Sequence, residues 1–300
     1  MAHSALASAL VALLGAASVT AVQAACFSTS RPILPSEHQI SPTLTNGERG
    51  LALVQAVQSG RFDVLEALVR AEPDLLSTRT VLPEGTRPYA GNMADLLTIA
   101  IASCNPNMLG ALLELGADPN GAIPGLALTY AALADDQVMT VMLLQAGASP
   151  DAATEGRTSA LREVLFYERS DAVAVLAQFG ANVNQSDMFG RTPLDSALSF
   201  GDWASAKVLM DAGANPWQVA NQGTLPAFTL QNATGLSGGA RAVQEELLAR
   251  TAADAPIWPP PPPMEVVRNV QSGTWPTDEM RQAGFVVTEG ALRSIRMVSP

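Results

Sequence analysis

Few residues in this chain have the types and spacing that chemistry needs, and each such set lacks a necessary companion. Gly235-Leu236-Ser237-Gly238-Gly239 has the Gly-x-Ser-x-Gly spacing of a hydrolase nucleophile. That chemistry needs a strand before the serine, a helix after it and a histidine further downstream. Asn232-Ala233-Thr234 precedes the motif, and His3 and His38 both lie upstream of it. A loop is therefore the expected setting of Ser237, and a serine hydrolase is the alternative reading. Asp135-Asp136 and Glu245-Glu246 are adjacent carboxylates. With no base or metal cluster beside them they read as solvated helix ends, where negative charge meets the positive end of the helix dipole. Two histidines and two cysteines exclude most zinc, haem and iron–sulfur sites built on those side chains. No catalytic residue, metal or cofactor is expected.

The two cysteines, Cys26 and Cys104, could close a disulfide in an oxidising compartment. The segment 26–46 is long enough to reach, at about 3.3–3.6 Å per residue. Unpaired, Cys104 would pack as a small apolar side chain. The N-terminus bears on the choice. Residues 5–22 are small or apolar and uncharged, Leu6 to Leu14 is the most apolar part, and Val22-Gln23-Ala24 has a small-x-small cleavage pattern. This predicts a cleaved export signal over 1–24 and a periplasmic or secreted protein, although His3 stands where Lys or Arg is usual. An Ala-rich helix in a cytosolic protein is the alternative. Cys26 could instead carry a thioether lipid as a structural tether, but Gln23 stands where such signals usually carry Leu.

Composition sets wider bounds. The chain has 300 residues, 48% apolar and 15% charged, which suits a packed core rather than a disordered chain. A net charge of −11 repels phosphate backbones, so nucleic acid is not an expected partner. Beyond residue 26 no segment is long and apolar enough to span a bilayer. Lysine occurs once, at Lys207, among arginines. That bias suggests bacterial coding, so Asn232-Ala233-Thr234 is discounted as a glycosylation acceptor.

The elements that position these residues recur with a period of about 33 residues. Leu115-Gly116-Ala117-Asp118-Pro119-Asn120 is echoed at Ala146-Gly147-Ala148, Phe179-Gly180-Ala181-Asn182-Val183-Asn184 and Ala212-Gly213-Ala214-Asn215. The glycines stand 31, 33 and 33 residues apart, and Leu97, Leu128, Leu161 and Leu194 each lie 19 residues before one of them. Between leucine and glycine, two apolar runs with helical spacing flank a polar break. This predicts two short antiparallel helices, the second stopped by a left-handed glycine. An Asn-, Asp- and Pro-rich turn follows.

On these residues the chain resembles the ankyrin-repeat family. Thr192-Pro193-Leu194-Asp195-Ser196-Ala197 matches the family's Thr-Pro-Leu-His-x-Ala opening except for its histidine, and the other openings depart further. No unit keeps that histidine, so turns less tightly held than in consensus repeats are expected. The resemblance implies an all-α ankyrin-repeat solenoid of roughly six helix-turn-helix units joined by turn fingers. The expected layout is a signal over 1–24, a flexible segment over 25–46, the repeats over 47–257, and a Pro-rich linker and tail over 258–300. It further implies a non-enzymatic module that grips a protein in its concave groove, by family analogy as an inhibitor, guard or immunity protein. Met188, Phe189 and Trp217 fall in the fingers, and Tyr130 and Phe166 on the first helices. These five are the expected partner anchors, since aromatic and Met side chains favour interfaces. The alternative is that each fills a gap between units.

Overall fold

A computed structural model describes residues 26–27, 44–81, 93–153, 159–236 and 238–298. The predicted signal, His38 and Ser237 lie outside them, as does most of the segment 25–46. The chain divides into two compact units, with the boundary after Ala160.

In the first unit, helical hairpins follow one another. They are α1 (Gly47–Gln58) with α2 (Phe62–Ala71), α3 (Leu96–Ala102) with α4 (Pro106–Glu114), and α5 (Leu126–Ala132) with α6 (Val138–Gln145). A 3-10 helix, Pro73–Ser77, follows α2. First helices pack on first helices (α1 on α3, α3 on α5), and α4 packs on α6. The second unit holds α7 (Ala160–Phe166), α8 (Ser170–Gln178), α9 (Pro193–Phe200), α10 (Trp203–Asp211), α11 (Pro226–Asn232) and α12 (Gly238–Ala253). There α8, α10 and α12 pack in series, and α9 packs on α11.

The sequence rules out longer helices. Asn105 caps α4, accepting the Met108 N–H at 2.9 Å, and Pro106 follows at the first helical position. Thr192 and Pro193 do the same for α9. Second helices stop at Gly116, Gly147, Gly180 and Gly213, whose φ values of 96°, 100°, 85° and 89° suit glycine alone. The four ladder leucines are buried, each removing an apolar side chain from water for about 1.5–3 kcal/mol. Within each unit, helices of one hairpin pack on those of the next, so neighbouring hairpins supply each other's cover.

The segment read as a Pro-rich linker and tail packs, over residues 258–298, on the last turns of the stack. Pro263 starts α13 (Pro263–Gln271), followed by α14 (Asp278–Gln282) and α15 (Glu289–Arg296). A two-residue parallel pairing joins β1 (Gln218–Val219) to β2 (Val286–Val287). Val266, Val267, Met280, Phe285, Ala291 and Ile295 share a core with Trp217, Val219, Leu225 and Ala227. The tail's apolar residues are too few to close a core by themselves; the last turns of the stack supply the other half. Asn215 donates to the Gly284 carbonyl at 2.7 Å, and the Gln222 N–H donates to Ser294 Oγ at 3.1 Å. At the closest approach, a Cβ on Gly190 would sit 2.7 Å from the Ala291 nitrogen, and one on Gly290 would sit 2.6 Å from the Asp187 carbonyl oxygen.

Cys26 and Cys104 are joined by a disulfide, with Cα atoms 5.8 Å apart and a sequence separation of 78. Cys104 lies at the break between α3 and α4. The Cys26 carbonyl accepts the Asp135 N–H at 2.7 Å, and Phe27 is buried beside it. The sulfur of Cys26 is thereby taken, which corrects the reading of Cys26 as a lipid tether: one sulfur cannot carry both bonds.

Two outcomes are expected. Cys104→Ser should lower the free energy of unfolding by about 2–4 kcal/mol, because the bridge restricts a long loop of the unfolded chain. Urea denaturation of the oxidised wild type and the variant measures this; equal midpoints would refute it. Gly190→Ala should cost about 2 kcal/mol, as its φ of 85° and the contact with Ala291 both oppose a Cβ. Limited trypsin digestion should then cut earlier at Arg281 and Arg293 than in wild type.

Candidate functional site

The best-defined projecting feature is the finger that precedes α9. Its base is Asp187, whose Oδ1 accepts the N–H groups of Phe189 and Arg191, each at 2.9 Å. Its Oδ2 accepts Arg191 Nε at 2.8 Å and Arg162 Nη2 at 3.1 Å. Arg162 comes from α7, one repeat earlier, and also donates to the Arg191 carbonyl at 3.0 Å. Burial pushes the Asp187 carboxyl up, but the hydrogen bonds from Arg191 and Phe189 outweigh it, and the net shift is downward. The turn therefore closes around an ionised aspartate. It projects Met188, 66% exposed, and Phe189, 39% exposed. The Arg191 guanidinium lies 5.8 Å from the Phe189 ring centre, a cation–π contact that steadies the ring.

Where the family's histidine is missing, other side chains link the turns. Arg162 stands one residue after Leu161, the register in which the family places its histidine, and its side chain ties one repeat to the next finger. Asp95, two residues before Leu97, does similar work in the first unit. Its Oδ1 accepts the Thr98 N–H and hydroxyl at 2.8 and 2.6 Å, and its Oδ2 accepts the Ile123 N–H of the following finger at 3.0 Å. Burial pushes the Asp95 carboxyl up despite these bonds. Asparagines add a second link: Asn120 Oδ1 accepts the Ser149 N–H at 2.8 Å, and Asn184 Oδ1 accepts the Asn215 N–H at 2.7 Å.

The five expected anchors do not form one surface. Tyr130 and Trp217 are buried, which removes both as partner contacts. Tyr130 sits in α5, where every residue is buried; Trp217 fills the core that the C-terminal helices complete. Phe166 is 66% exposed, but it lies at the C-terminal end of α7 rather than by the fingers. Its ring makes edge-on contacts with Tyr167 and Phe200, centres 5.3 and 6.0 Å apart. Phe200 ends α9, about 12 Å of helix away from Thr192 and the finger. Sequence reading passed over Tyr167 and Phe200, and also Arg162, Asp187 and Arg191. The place of Arg162 in the repeat register was the available signal.

The remaining candidates have structural settings. Asp136 accepts the Val138 N–H at 3.0 Å ahead of α6. Glu246 lies inside α12 rather than at a helix end, and pairs with Lys207. α11 ends at Asn232, and residues 233–236 form no strand, so the setting that a Gly-x-Ser-x-Gly nucleophile requires is missing before Ser237. Among the described residues no group of three or more His, Cys, Asp or Glu side chains could hold a metal ion, and no helix is long and apolar enough to cross a membrane.

Helical hairpins, left-handed glycine stops and hydrogen-bonded fingers define a repeat protein of the binding-scaffold class. Similarity to known proteins narrows the class. Protein PhlB of Serratia liquefaciens is 32% identical over 197 residues, covering 64% of this chain and 79% of PhlB. Ankyrin repeat protein FPV014 of Fowlpox virus is 31% identical over 118 residues, and ankyrin repeat protein nuc-2 of Neurospora crassa is 27% identical over 176. The chain spans only 27% and 16% of the lengths of those two. The crystal structure of the ankyrin repeat domain of Bcl-3, a member of the IkappaB protein family, superposes with a TM-score of 0.50 at 26% identity, covering 65% of this chain and 80% of that one. No protein-family profile matches the chain. The chain belongs to the ankyrin-repeat family, and is a protein-interaction module of all-α repeats.

Asp195, in the histidine register of its own repeat, gives a pH-dependent outcome. Burial raises its carboxyl to about 6, with Asp187 adding to the rise and Arg191 and Arg162 opposing it. An acid raised in the folded state stabilises the fold fully below its unfolded value and loses that contribution as pH climbs through the folded value. Relative to Asp195→Asn, the wild type should therefore lose on the order of 2 kcal/mol between pH 4 and pH 7. Denaturation midpoints of both proteins across that range measure the difference; parallel curves would show that Asp195 titrates normally.

Proposed function

We propose that this chain is an exported, non-enzymatic binding protein that holds a protein partner on its fingers, as an inhibitor, guard or immunity protein for a neighbouring enzyme or toxin. The observation that carries the reading is the finger tip Met188–Phe189. Two large apolar side chains stand in solvent on a turn fixed by Asp187, Arg162 and Arg191. A rigid backbone presenting such groups suits an interface anchor, because little freedom is lost on binding. The acidic balance of the chain favours a basic partner surface. The Cys26–Cys104 bridge, just beyond the predicted cleavage site, supports a periplasmic or secreted location, since structural disulfides persist in oxidising compartments. The likeness to a Serratia protein supports a bacterial setting.

The test is affinity capture from a periplasmic extract, followed by titration of the captured protein. Met188→Ala with Phe189→Ala should weaken binding at least tenfold while leaving the thermal midpoint within a few degrees. A double variant that binds like wild type removes the finger from the interface. Phe166→Ala in parallel asks whether the separate aromatic cluster takes part.

A further inference from the structure

We propose that a groove in the first unit, between the 3-10 helix Pro73–Ser77 and the finger Ala117–Ala122, receives an arginine or lysine side chain of a protein partner. This rests on the reading of the chain as a protein-binding module and gives one of its contacts a chemistry.

The groove follows from a local break in the repeat. α2 ends without the glycine stop, and the chain runs through Glu72-Pro73 into a 3-10 helix before Arg79 and Thr80 pair with Ala94 and Asp95 ahead of α3. Elsewhere an asparagine ties adjacent fingers, as Asn120 does to Ser149. Among the described residues no hydrogen bond joins Pro73–Ser77 to Ala117–Ala122. An open depression of about 520 Å³ lies there. Leu76, Leu96, Leu97 and Leu115 contribute apolar wall.

Charge selects the occupant. Among the described residues the lining includes Asp74, Asp95 and Asp118, and no basic residue. The Asp95 carboxylate is committed to Thr98 and Ile123, so it shapes the wall rather than binding. Asp74 and Asp118 are exposed, and neither is in an ion pair among the described residues. In the same unit Glu72, Asp63 and Glu66 pair with Arg49, Arg61 and Arg70. Asp118 Oδ1 is oriented by the Asn120 N–H and Nδ2, at 2.9 and 3.1 Å. A basic side chain answers both features: its aliphatic stem lies along the leucines and its charged head meets the carboxylates. An acidic side chain would be repelled, and an apolar one would take water from both carboxylates without replacing it.

The experiment titrates the isotopically labelled full chain with the blocked pentapeptide Gly-Leu-Arg-Leu-Gly, following backbone amide shifts. Saturating shifts are expected at Leu76, Ala117 and Ala122. Binding should weaken at least tenfold when citrulline replaces the arginine, and equally in Asp74→Asn with Asp118→Asn, a variant whose thermal midpoint checks its folding. Shifts confined to other amides, no saturation, or equal binding of the citrulline peptide would overturn the groove. Partner capture that survives the double variant, with no peptide shifts in wild type, overturns the groove and leaves the binding module standing. Peptide binding at these amides with no protein captured does the reverse.

Discussion

A short helical hairpin cannot bury its own apolar stripe. Its ladder leucine points at a neighbour or at water, and water is the worse choice by a few kcal/mol per side chain. That constraint shapes the rest of this molecule. Within each unit, first helices pack on first helices and second on second. It also makes the ends expensive, because the last hairpin has no successor. The chain meets this at its C-terminus with three helices and a two-residue strand pairing. They close over Trp217, Leu225 and Ala227, which would otherwise face solvent.

Stacking fixes the helices, but the surface available to a partner is set by the fingers, and these obey a second constraint. A turn leaves backbone N–H groups that need acceptors. Here aspartates supply them. Asp187 satisfies two N–H groups of its own finger, and Asp95 satisfies one in the finger after it. A carboxylate is a stronger acceptor than a neutral group, but its burial must be offset by neighbouring donors. Asp187 has that support in Arg162 and Arg191. Asp195 receives less, and its raised pKa follows. The rigidity that lets Met188 and Phe189 stand in water thus comes from ionic contacts at the base of the finger.

The repeat was legible because two ladders share one register: a leucine that must be buried and, 19 residues on, a glycine that must turn left-handed. Each position is dictated locally, so spacing alone reveals it. The anchors were less legible because exposure depends on what packs against a residue, and that is a tertiary fact. Tyr130 and Phe166 both lie on first helices, yet one is buried and the other stands at a helix end. Trp217 looked like a finger aromatic because its covering residues, Val266, Phe285 and Ile295, are spread thinly over a segment that reads as a tail. No periodicity marks such a segment, since it follows the shape of the stack's end and not a repeat of its own.

The lost histidine raises the question of what holds the turns in its place. Its absence from every unit suggests slack turns if each position is read as a single chemical role. The structure separates the role from the residue type. What the register demands is a side chain at the start of the first helix that can reach the next finger. Arg162 meets that demand by donating to Asp187 and the Arg191 carbonyl, where a histidine would offer fewer donors. Two repeats earlier in register, a residue at the cap position, Asp95, meets it by accepting instead. Donor and acceptor solutions are interchangeable for holding a turn but not for what the turn then presents. The arginine's charge is neutralised inside the finger, which leaves an apolar tip. In the first unit an aspartate serves the wall of a groove whose rim carries further carboxylates. One backbone device, built with opposite charges in the two units, thereby gives the same fold two chemically different faces.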